Sequence, residues 1–124
     1  MSIEPRDRAL RALYEIDLRK LDGPGDELSG KAKRLVEGVL GRLPELDRSL
    51  EATANRWRVE RMPPVDRAIL RLGLYELRHE PATPVAVVLS EAVRLAKTYS
   101  TEKSGAFVNG VLGVLAESAR DREV

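Results

Sequence analysis

Two pairs of acids, Asp66 with Glu76 and Glu102 with Glu117, are the first candidates for acid–base chemistry, yet ten or more residues separate the members of each pair. No metal-ligand spacing and no glycine-rich phosphate loop accompanies them. The chain holds no cysteine and a single histidine, His79. Disulfides, thiolate nucleophiles and cysteine-held zinc or iron–sulfur centres are therefore excluded, and most zinc sites and serine triads go with them. His79 falls at the end of an apolar segment with helical patterning. There a cation complements the negative end of the helix dipole, and a side chain can hydrogen-bond terminal carbonyls. A binding protein with no cofactor and no metal, rather than an enzyme, is the expectation.

Anion recognition has better material. Arg6, Arg8 and Arg11 occupy the first turns of a helix-forming segment, where guanidinium forks can grip phosphates, although Glu4, Asp7 and Glu15 stand among them. That spacing fits a solvated helical face as well as an anion site. The segment KTYSTEKSGAFVN brings together Lys97, Tyr99, Lys103, Phe107 and Asn109 around a helix start with free N–H donors, a combination suited to phosphates and unpaired bases. Tyr99 and Phe107 fit equally as core residues of the last two helices, and the two roles can coexist at a rim.

The elements that position these groups are helical. Aromatics make up 4% of the sequence, so the core must come from Leu, Val, Ala and Ile, which disfavours an aromatic-rich β-sandwich. Leu10, Leu13, Tyr14, Leu18 and Leu21 give a first helix from about Pro5 to Lys20, followed by the loop LDGPGDELSG. A second helix starts near Glu27 or Leu28 and is stopped by Gly41 and Pro44. Leu46, Leu50, Thr53 or Ala54, and Trp57 define a thinner third stripe that the prolines of RMPP break. VDRAILRLGLYEL, from Val65, is apolar on nearly every face and predicts a central helix packed on several sides. Thr83-Pro84 predicts an N-cap and first-turn proline for a helix running to Tyr99. Ser100 or Thr101 then caps a last helix with Phe107 or Val108, Val111, Leu112, Leu115 and Ala119 inside. Gly105, Gly110 and Gly113 each cost up to ~1 kcal/mol of helix propensity, which suggests close backbone packing there. The ending ARDREV reads as a frayed tail.

At 124 residues, 43% hydrophobic and 33% charged, the chain has the size and composition of one folded domain spanning 1–124. Its net charge of +1 does not announce nucleic-acid binding, so an anionic partner must be met by a local patch. The longest apolar runs fall far short of a membrane span. The start MSIEPRDRALRAL has no signal-peptide core, making an intracellular, cytoplasmic setting the default expectation.

VDRAILRLGLYEL followed by PVAVVLSEAVRLAKTYSTEKSGAFVNGVL resembles the C-terminal half of the NusB family of bacterial transcription antitermination factors, and RALRALYEIDLR resembles that family's first helix. LRLGLYEL and FVNGVL, with a proline-started helix between them, form a specific combination, and the likeness covers nearly the whole chain. The resemblance implies an all-α fold of about six to seven helices in two packed helical subdomains, present as a monomer or homodimer. It implies binding of boxA-type RNA in nascent ribosomal transcripts, jointly with the ribosomal protein NusE, within an antitermination complex that carries RNA polymerase through terminators. The family's arginine-rich start falls on Arg6, with Arg8 and Arg11 as substitutes, while Ile3 and Glu4 replace its preceding arginines. The other part of the family's RNA surface matches Lys103 to Asn109, and Lys103 stands at a position that can be acidic in relatives. Tyr14 and Asp66 match positions that face NusE, although Asp66 also suits the start of its own helix. The same fold serves as the RNA-binding part of a ribosomal RNA cytosine methyltransferase, a reading that requires a large catalytic domain after Val124. A protein-only helical adaptor is the third alternative.

Overall fold

Proline positions set where several helices begin. In the computed structural model, which describes residues 4–54 and 57–119, Pro5 opens α1 (Pro5–Arg19) and Pro64 opens α4 (Pro64–His79). In a first turn the missing N–H has no intrahelical partner to lose. Between them lie α2 (Gly30–Leu40), α3 (Leu43–Ala54) and a 3-10 turn at Val59–Arg61; α5 (Val85–Tyr99) and α6 (Glu102–Ala119) follow. Among the described residues there is no strand. The last five residues of the expected tail lie outside the described residues, as does Ile3.

The central helix is α4, and it packs against all five others. Its apolar surround is the reason: Ile69, Leu70, Leu72, Leu74 and Leu77 are all buried, pointing to different sides of the helix. On one flank lie α1 and α2; on the other, α5 and α6 form the most extensive helix pair, and α3 reaches across to α6. This matches the expected pair of helical groups around a shared helix.

Close backbone approach occurs at glycines other than those expected. A Cβ on Gly73 would lie 2.6 Å from Leu112 Cδ1, and one on Gly38 would collide with the Tyr75 ring, so α4 meets α6 and α2 where these side chains are missing. By contrast, Gly110 and Gly113 have nothing within 4 Å of a built Cβ, which corrects the packing expectation for both. Of the three, only Gly105 has a close neighbour: a Cβ there would lie 3.4 Å from Lys97 Cγ.

Four further expectations need correction. The second helix begins at Gly30, whose φ of +61° is incompatible with a helix running through it from Leu28. Pro84 itself, not Thr83, occupies the cap position of α5, and Pro44 falls in the first turn of α3. His79 does end α4, but its Nε2 is buried without a hydrogen-bond partner, and desolvation pushes its pKa down. It is a neutral ring against Tyr75, with centroids 5.1 Å apart, and not a cation serving the helix dipole.

Candidate nucleic-acid interface

The arginines of α1 divide by direction. Arg6 turns inward: its Nε donates to both Glu76 carboxylate oxygens at 3.0 Å, and its Nη2 lies 2.9 Å from Oε1. The Arg6 side chain is 12% exposed and that of Glu76 only 3%, so the pair ties α1 to α4 inside the protein. The neighbouring Asp7 is also buried and accepts hydrogen bonds from Arg94 Nη2 at 2.8 Å and from the Tyr99 hydroxyl at 2.8 Å. The Arg94 guanidinium holds the Asp7 carboxyl below the usual aspartate range, burial opposes this, and the Tyr99 hydroxyl adds to it. Arg8 and Arg11 face solvent instead. Arg11 lies over the Tyr99 ring, 5.5 Å from its centroid, in cation–π geometry.

The second cationic segment is built where α5 gives way to α6. Thr101 caps α6, its Oγ1 accepting the Ser104 N–H at 3.0 Å. The Ser100 and Ser104 hydroxyls each donate to the Asp66 carboxylate at 2.9 Å. Asp66, expected to face a protein partner, is 4% exposed and anchors the start of α6 to the start of α4. Lys97 is exposed, with its stem against Gly105 and its Nζ 4.0 Å from Glu102. Lys103 is exposed and Phe107, one turn later, is half-buried. Asn109 is also exposed, but two residues beyond Phe107 it projects from another face of the helix, so it is not brought together with Lys103 and Phe107. Both segments border the last turn of α5: Arg11 lies over Tyr99, while Lys97, two residues earlier and on another face, meets the first turn of α6.

Tyr14, 38% exposed, borders an apolar groove of about 370 Å³ between α1 and the start of α4, walled also by Leu10, Leu18, Val65 and Tyr99. Leu18, read in the sequence only as part of the helical spacing of the first helix, is 48% exposed. Its signal was present in the sequence: Leu10, Tyr14 and Leu18 repeat at four-residue steps, a stripe distinct from the buried Leu13 and Ile16. Trp57 was missed as well. It lies beyond Ala54 at the end of α3, is 49% exposed, and has its ring 6.1 Å from that of Phe107. Its flanking residues in RWR were the visible sign.

Among the described residues no group of three acidic or histidine side chains is placed to hold a metal ion, and no helix is long and apolar enough to cross a membrane.

The sequence matches the NusB family over residues 3–117. It is 43% identical over 118 residues to the transcription antitermination protein NusB of Geobacillus kaustophilus, covering 88% of this chain and 90% of that protein. With the NusB protein of Sorangium cellulosum it shares 50% identity over 96 residues, covering 77% and 69%. Its structure superposes on T. maritima NusB with a TM-score of 0.85 at 30% identity, covering 99% of this chain and 97% of the other. It also superposes on a chain in the crystal structure of antitermination factors NusB and NusE in complex with dsRNA. That match has a TM-score of 0.80 at 31% identity, covering 92% and 94%.

Proposed function

Because the chain belongs to the NusB family, we propose that it is a transcription antitermination factor that binds boxA-type RNA in nascent ribosomal transcripts together with the ribosomal protein NusE. In that complex it promotes read-through by RNA polymerase in the bacterial cytoplasm. It works by binding, not by catalysis, and the whole chain acts as one RNA- and protein-binding unit.

The observation that carries the RNA reading is that two exposed cationic segments both border the last turn of α5: Arg8 and Arg11 on α1, Lys97 and Lys103 around the start of α6. Phosphates approaching there also meet the N–H groups at the start of α6. Arg6 supports the surface from behind, by fixing the direction of α1 through Glu76. NusE binds along the apolar groove at Tyr14 and Leu18, whose apolar floor and mixed charged rim of Arg11, Glu15 and Arg19 suit a protein partner. Asp66 contributes by holding the start of α4, next to the groove residue Val65.

Titration of boxA-like and scrambled RNAs, with and without NusE, tests this reading. Lys103→Glu and an Arg8→Glu, Arg11→Glu double variant should lower affinity for all RNAs, and the slope of log affinity against log salt should flatten by about one for each phosphate that is no longer neutralised. Wild-type RNA titrations by both folded variants would remove this surface from consideration.

A further inference from the structure

Beside the cationic surface, Trp57 and Phe107 form an aromatic pair whose ring planes are tilted by 59°. With Pro63, Lys103 and Ser104 they wall a cleft of about 210 Å³, shallow and almost wholly apolar. Tryptophan offers a large flat apolar face, and leaving half of it in water forgoes the burial that normally fixes such a residue. The acids around it, Asp66 and Glu60, are already engaged, while its cations can meet an anion. Lys103 has no ion-pair partner among the described residues. Arg58, next to Trp57, pairs at 3.1 Å with Glu60, but both side chains are about two-thirds exposed, so water screens the pair and a stronger anion can displace it. Asp66, the acid beneath the cleft, already accepts the Ser100 and Ser104 hydroxyls.

An exposed aromatic surface edged by cations selects a partner that is flat and apolar at one point and anionic beside it. We propose that Trp57 and Phe107 form a stacking site for one unpaired base of a bound RNA strand, with Lys103 receiving the adjoining phosphate. The proposal rests on the RNA-binding reading above and adds to it a site for a nucleobase. At 6.1 Å and tilted, the rings are too close for a base to slide between them, so the base lies on their open side. Duplex RNA keeps its bases stacked on each other and cannot offer one to the cleft, so the site selects single strands. Every base has a π face, so the site is tolerant of sequence.

Trp57 is the only tryptophan in the chain, which makes its emission a direct reporter. The protein is titrated at low ionic strength with a dye-labelled single-stranded boxA-type RNA, following both RNA anisotropy and indole fluorescence, and then with a duplex of the same sequence. The expected result is quenching of Trp57 that saturates together with the anisotropy for the single strand, and little quenching by the duplex. Trp57→Leu should weaken single-strand binding by about 5- to 150-fold, the loss that one stacked base represents, and Trp57→Phe should restore part of it. Wild-type quenching needs no variant to fold, and each variant is checked by its thermal melt. If anisotropy reports binding while Trp57 emission stays constant and Trp57→Leu binds as wild type, the stacking site is refuted and the cationic surface stands. Quenching by NusE in place of RNA would also refute it, marking the cleft as a protein contact. If no RNA binds at all, the functional reading falls and the stacking site with it.

Discussion

Replacing Arg6 by alanine separates an internal tie from an RNA contact. The Arg6 guanidinium makes two hydrogen bonds of 3.0 Å to Glu76, whose side chain is 3% exposed. Its removal strands a buried carboxylate, and breaking a buried ion pair from one side costs about 3–5 kcal/mol. Glu76 keeps a further interaction, and Glu91 gives up only a 3.7 Å approach, so the loss falls at the lower end, about 3 kcal/mol. For a chain of this size that lowers the midpoint of a circular-dichroism melt by on the order of 10 °C. Glu76→Gln in the Arg6→Ala background removes the stranded charge and should recover part of the loss, giving a non-additive double-mutant cycle. RNA affinity, measured well below the melting range, should change less than for the Arg8→Glu, Arg11→Glu variant. If Arg6→Ala melts like wild type and instead loses RNA binding, the inward placement of this side chain is wrong.

Acid should destabilise the protein in two stages. His79 has a lowered folded pKa, so the unfolded chain takes up a proton first as pH falls below the ordinary value of 6.5, and stability declines from there. Asp7, also lowered, contributes stability that is fully present above its ordinary 3.8 and is lost as pH falls further; urea midpoints measured from pH 8 to pH 3 should show both stages, the first absent in His79→Phe and the second in Asp7→Asn. Gly73→Ala drives a Cβ against the fully buried Leu112 and should cost about 1–2 kcal/mol net of the helix propensity it gains, read as a lower urea midpoint at unchanged slope. Gly110→Ala, facing open space in α6, should raise stability by up to ~1 kcal/mol, and a fall in the urea midpoint would contradict the exposed placement of that residue.

What could be read in the sequence was what repeats along a helix. The stripes at Leu10 and Leu13, at Leu35, Val36 and Val39, and around α4 fixed the helices and most of the core, since an apolar side chain at helical spacing has one favourable destination. Charges carry no such direction. Arg6 and Arg8 are neighbours in one segment, yet one is sealed against a residue 70 positions away and the other meets water. The close approaches at Gly38 and Gly73 depend on which helices cross, which the glycines of α6 could not reveal. Asp66 looked suited to a partner because its serine donors lie 34 and 38 residues further on. Trp57 looked like the end of the α3 stripe because apolar spacing continues past the point where that helix stops.

The ties that secure α1 have a consequence for how the protein is made. Arg6 waits for Glu76, Asp7 for Arg94 and Tyr99, separations of 70, 87 and 92 residues. At a synthesis rate of about 5–20 residues per second, the first helix leaves the ribosome roughly 5–18 s before its last anchor. Until α4 is made, its apolar stripe has only α2 and solvent as company, and Asp7 stays without its donors until α5 is complete. Chaperone capture or misdocking should therefore concentrate on α1, and a ribosome-bound chain exposed only as far as Pro64 should display it open to protease.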